Sequence, residues 1–112
     1  MRLSKDALIS DEKLVKYLLV PKKRNDKSQW LAQAGYTLET WPILKADLRN
    51  QVLPGNASLI ESTDYGIMYE IRSRLTGPNG TNLPVCTVWM VEKVTGIAKF
   101  ITMYPDRRVD RR

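Results

Sequence analysis

Two hydrophobic rhythms divide the chain. Up to Pro54 apolar residues return every three or four positions, and from Leu59 onward they return every second position. Ser10-Asp11 opens a helical stretch in which Leu14, Tyr17 and Leu18 share one face, and Pro21 stops it. A loop, Pro21 to Asn25, follows. Asp26 caps a second helix through Trp30, Leu31 and Ala34, with Gly35 placed where a left-handed C-terminal residue is wanted. Thr40 precedes a third helix that tolerates Pro42 in its first turn. Its stripe is Trp41, Leu44, Leu48 and Val52, and Pro54-Gly55 closes it.

In the second half, Gly66 to Leu75 alternates, with Ile67, Tyr69, Ile71 and Leu75 on one side and Met68, Glu70, Arg72 and Arg74 on the other. Gly77-Pro78-Asn79-Gly80 marks a hairpin, because Pro presets one turn angle and Asn-Gly tolerates positive φ. Leu83 to Val91 is apolar on both faces apart from Thr87, as a central strand covered on both sides should be. Thr95-Gly96 turns the chain into a last strand, Ala98 to Tyr104, which Pro105 ends. The expected architecture is α+β: N-terminal helices packed on one face of a C-terminal antiparallel sheet of three to four strands. It forms a single domain over residues 1–112, with a basic tail at 106–112.

The alternation predicts an open face. With Cys86, Val88, Met90, Ile101 and Met103 assigned to the core, the surface carries Glu70, Arg72, Arg74, Thr87, Trp89, Phe100, Thr102 and Tyr104. Arginines beside an acid, hydroxyls and aromatics suit a groove that holds phosphates and stacks splayed bases. The alternative is that Trp89 and Phe100 form a second small core under a loop, since a bulge flips the parity of a strand.

Composition narrows the chemistry. Eighteen Lys and Arg against twelve Asp and Glu give a net charge of +6, which favours polyanionic partners, nucleic acid first and an acidic protein second. Lys22, Lys23, Arg24 and Lys27 cluster in one segment, and Arg107, Arg108, Arg111 and Arg112 crowd the end. Histidine is absent, so Ser-His-Asp, Cys-His and paired-histidine mechanisms are excluded, and one cysteine without histidine cannot assemble a zinc site. The lone Cys86 fits a reducing cytoplasm and reads as a small buried hydrophobe. No apolar run is long enough to span a bilayer, and no secretory signal is expected at the N-terminus. Neither metal nor cofactor is expected.

Val88-Trp89, the closing Thr102-Met103-Tyr104-Pro105, the Gly77 to Gly80 hairpin and the basic stretch up to Lys27 together resemble an uncharacterised family of small bacterial toxin-like proteins. The resemblance runs from the first helix to Pro105. It implies a toxin paired with an acidic antitoxin protein encoded nearby. More distantly, helices followed by an antiparallel sheet ending in T-x-[FY]-P resemble the barnase–EndoU–colicin–RelE group of metal-independent endoribonucleases. Because many of that group use histidine, only its histidine-free branch serves as a guide.

Metal-free RNA cleavage needs a base for the 2′-hydroxyl, an acid for the leaving 5′-oxygen and positive charge on the phosphorane. Arg72 and Arg74 are candidates to bind phosphates. Glu70 either orients Arg72 or acts as base, with a plain cross-strand ion pair as the alternative. Thr102 is a candidate phosphate donor. Tyr104 is a stacking platform, a general acid, or packing beside Pro105. Lys27 reaches the face from the start of the second helix, whose amides favour phosphate, or is a solvated lysine. Lys23, Arg24, Thr87 and Trp89 complete the RNA-contacting set, Trp89 with core packing as its alternative. The expected function is a toxin that cleaves RNA, tRNA among the candidates. A non-catalytic module binding nucleic acid or an acidic partner is the alternative from another class. The antidote half of such a pair is a third, which the positive charge argues against.

Overall fold

A computed structural model of the chain describes residues 1–24 and 26–108. Its helical part comprises a wide π-helical segment Lys13–Leu18, helix α1 (Ser28–Ala32), and helix α2 (Trp41–Asp47), which runs on as a second π-helical segment Leu48–Val52. Four strands follow: β1 (Ala57–Ser62), β2 (Gly66–Thr76), β3 (Asn82–Glu92) and β4 (Ala98–Pro105). They pair antiparallel in sequence order. Helices thus precede the sheet, as the change of hydrophobic rhythm implies. Among the described residues, no helix is long and apolar enough to cross a membrane.

The helical stripe packs as its spacing predicts. Leu44, Leu48 and Val52 are fully buried, and they share one core with Leu14, Leu31, Ile71, Leu75, Trp89 and Met103. Tyr17 departs from the expected face. In the wide turns of Lys13–Leu18 the buried side is taken by Leu14 and Leu18, and Tyr17 turns out to solvent. Tyr36 ties helix to sheet: its hydroxyl donates to Asp47 Oδ2 at 2.6 Å and also lies 3.2 Å from the Thr76 carbonyl. Burial and the Asp47 carboxylate together push that phenol far above its usual range.

The hairpin tip is docked on α1. Gly35 follows that helix with φ +92°, freeing the Ala34 carbonyl to accept the Asn79 N–H at 3.3 Å. Asn79 Nδ2 also donates to the Gln33 carbonyl at 2.9 Å. Gly77 is required there, because a Cβ would stand 2.0 Å from the Ala34 oxygen. At the other end of the chain, residues 1–9 lie across both sheet edges. Met1 O accepts from Ala57 N beside β1, and Leu8 makes a parallel bridge to Lys99 on β4. Arg49 fastens this strap through the Lys5 and Ala7 carbonyls at 2.7 and 2.9 Å.

The register corrects the expected parity of β3. β2 behaves as its alternation predicts, but Tyr69 pairs with Trp89 and Ile71 with Thr87, so Thr87 and Trp89 lie on the helix-facing side and are fully buried. Cys86 and Val88 occupy the open side in their place. An apolar strand carries no parity signal of its own, so the cross-strand register decides. Phe100 is also turned inward. A bulge sets Ile101 as an extra residue between the Val88–Thr102 and Trp89–Phe100 pairs, which leaves Thr102 and Tyr104 outside but buries Phe100. There it meets Trp89 edge to face, centroids 5.3 Å apart.

Candidate active site on the open face of the sheet

Two cross-strand rows build the face. One reads Glu70–Val88–Thr102, the next Arg72–Cys86–Tyr104, and Arg74 lies beyond them opposite Pro84. The long side chains converge over the small ones. Arg72 Nε and Nη2 donate to the two Glu70 oxygens at 3.3 Å each, and Nη1 donates to Asp106 Oδ1 at 2.7 Å. Asp106 is only 3% exposed and is itself fixed, its N–H donating to the Pro84 carbonyl at 2.9 Å. Of the five guanidinium N–H donors, three are therefore aimed at carboxylates, and the other two bond to no group among the described residues.

Cys86 joins the second row to the first. Its sulfur lies 3.4 Å from Glu70 Oε2 and 3.3 Å from Tyr104 Oη. With a single proton the thiol donates to the better acceptor, the carboxylate, and the tyrosine hydroxyl then donates to sulfur. Burial pushes the Cys86 thiol up, which keeps it protonated. The contact with Cys86, followed by burial, holds the Tyr104 phenol at about 12, so it keeps its proton throughout the physiological range. A hollow of about 310 Å³ opens beside this cluster, lined by Arg72, Tyr104, Pro105, Asp106, Arg107 and Arg108.

Lys27 enters from outside the sheet. Its Nζ donates to Thr102 Oγ1 at 3.0 Å, across seventy-five positions of sequence. Burial first, and the nearby Lys22 charge second, lower its pKa from the ordinary lysine value. Thr102 accepts that bond and keeps its own O–H to donate. The helix that follows is five residues long, and its first N–H is already taken by Asp26 Oδ1 at 2.8 Å, so α1 offers little to a phosphate.

Glu70, Arg72, Thr102 and Tyr104 thus share one side of the sheet, Lys27 reaches that side through Thr102, and Arg74 is exposed on it. Lys23 and Arg24 are exposed in the loop before Lys27. Thr87 and Trp89 are withdrawn from the RNA-contacting set. Thr87 Oγ1 donates to the Ile71 carbonyl at 3.0 Å and accepts Trp89 Nε1–H at 2.7 Å, both within the core. Arg111 and Arg112, expected in the basic tail, lie outside the described residues. Sequence reasoning missed Asp106, which it assigned to the tail, and the bridging position of Cys86. An acid directly after the strand-ending Pro105, amid arginines, is the one signal that pointed to Asp106.

The family model described as "Domain of unknown function (DUF6883)" matches residues 2–107. No curated protein and no solved structure matches the chain.

Proposed function

We propose that this chain, which belongs to the DUF6883 family, is a metal-independent endoribonuclease acting in a reducing cytoplasm. We read it as the toxin of a toxin–antitoxin-like pair, silenced by an acidic antitoxin that covers the open face. The observation that carries the reading is the gathering of Lys27, Glu70, Arg72, Thr102 and Tyr104, from three separate parts of the sequence, around one accessible patch.

In the proposed reaction the 2′-oxygen attacks phosphorus, the P–O5′ bond breaks, and a 2′,3′-cyclic phosphate and a 5′-hydroxyl result. Lys27, in its neutral fraction, takes the 2′-proton, since its lowered pKa enlarges that fraction near neutrality. Tyr104 hands its proton to the departing 5′-oxygen, exchanging its contact with Cys86 for one with the substrate. Thr102 and the free N–H groups of Arg72 donate to the phosphorane oxygens. Glu70 and Asp106 hold Arg72 in place, and because they offset its charge, Arg74, Arg107 and Arg108 supply the long-range attraction for RNA.

The test is incubation of labelled RNA with purified protein in excess chelator. Cleavage is expected, with a rate that rises on the alkaline side at pH values below the ordinary lysine 10.5. Lys27→Arg should move that limb upward. RNA that is bound with steep salt dependence yet stays intact over hours would instead establish a non-catalytic binding module. That second reading is favoured by the two carboxylates already engaging Arg72.

A further inference from the structure

The open face continues around the edge of β4. Beside Thr102 lies a hollow of about 330 Å³ lined by Lys13, Tyr17, Leu18, Lys22, Ile101 and Thr102. It shares Lys13 and Ile101 with a larger one of about 610 Å³, which runs on past Lys45, Arg49 and Lys99. Two local irregularities make this groove. The bulge takes Ile101 out of the alternation of β4, and the wide turns of Lys13–Leu18 leave Lys13 and Tyr17 outward while Leu14 and Leu18 are buried. Tyr17 is 56% exposed, and the Lys22 ammonium stands 5.0 Å over its ring.

The charges along the groove are graded. Lys45 and Lys99, at the far end, are paired with Asp11 and Glu92. Among the described residues Lys13, Lys22 and Lys27, nearer Thr102, pair with no carboxylate. Spaced cations beside an exposed aromatic ring are what a ribose-phosphate strand with one stacked base requires. We infer that this groove carries the single-stranded RNA flanking the cleaved bond, with Lys22 and Lys13 on successive phosphates and Tyr17 stacking a base. The inference rests on the endoribonuclease reading and adds to it the substrate class, single-stranded RNA extending beyond the scissile dinucleotide.

The experiment measures affinity by fluorescence anisotropy, using cleavage-resistant 2′-O-methyl oligoribonucleotides of about two and about eight nucleotides. Lys13→Ala/Lys22→Ala should weaken binding of the longer probe about tenfold and flatten its salt dependence by about 1.4 in the log–log slope, with the short probe little changed. Tyr17→Ala should lower affinity for the longer probe by about fivefold or more. Lys16→Ala, exposed on the same segment and paired with Glu12, is the control and should bind as the parent does. Circular dichroism confirms that each variant is folded. Unchanged affinity and slope in the variants, in a protein that still cleaves RNA, overturn the groove and leave the catalytic reading standing. Failure of the parent to bind or cleave any RNA sinks both. Displacement of the longer probe by polyglutamate at equal charge overturns the assignment to RNA in favour of an acidic polypeptide.

Discussion

The two faces of the sheet are built from the same strands yet held by opposite means. On the inner face Trp89, Ile71, Thr87, Phe100 and Met103 are dry, and the polar atoms of Thr87 and Trp89 satisfy each other and the Ile71 carbonyl. On the outer face Cys86 and Val88 lie between charged and hydroxylic side chains of the neighbouring strands, Arg72 and Tyr104 beside Cys86 and Glu70 and Thr102 beside Val88. The inner face derives stability from removal of apolar surface from water, which tolerates no missing volume. The outer face is held by charge-assisted bonds whose loss leaves water free to enter. On the proposed reading, stability and chemistry are separated onto two sides of one layer, and substitutions on each side should have different signatures.

The largest effect is expected inside. Trp89→Ala removes the ring packed on Phe100 and should cost about 3–5 kcal/mol in denaturant unfolding. A cost below about 1 kcal/mol would mean that the inner face is not the main source of stability. Asp106→Ala comes next, at about 1–3 kcal/mol, because it removes a buried acceptor from Arg72. The same variant should weaken RNA binding only slightly if Arg72 is merely positioned by Asp106. Tyr104→Phe should leave stability within about 0.5 kcal/mol while lowering RNA cleavage about a hundredfold. Equal losses of stability and activity would erase the distinction between the faces.

The smallest effect is a pH dependence. Burial lowers the Lys27 pKa relative to the unfolded chain, so its charged form disfavours folding. That penalty is full below the folded-state pKa and fades as pH rises toward 10.5. Lys27→Met should therefore show its greatest relative stability near neutrality, with the difference in Tm shrinking as pH is raised. A difference that grows with pH would show that Lys27 is stabilised, not penalised, by its surroundings.

What the sequence disclosed follows the strength of its local signals. β2 alternates apart from Met68 and Ser73, so the side of Glu70, Arg72 and Arg74 was legible. β3 is apolar on both sides, and nothing in its own residues says whether Trp89 or Val88 faces the helices. That information resides in its pairing with β2. The bulge at Ile101 is likewise silent, because it is a property of the β3–β4 register, and it keeps Thr102 and Tyr104 outward while turning Phe100 in. Lys27 was found through its place beside a helix cap, although its contact with Thr102 depends on how that loop meets the edge of β4. Asp106 was hidden by Pro105, which marks the end of a strand and so invited reading the acid as tail.

The central claim is that the outer face performs chemistry on RNA, and the chemical nature of the cut ends tests it most directly. Mass spectrometry of RNA treated with the protein in chelator should find 2′,3′-cyclic phosphate and 5′-hydroxyl termini that vanish with Tyr104→Phe. Intact RNA, or identical termini from the folded variant, would contradict the account.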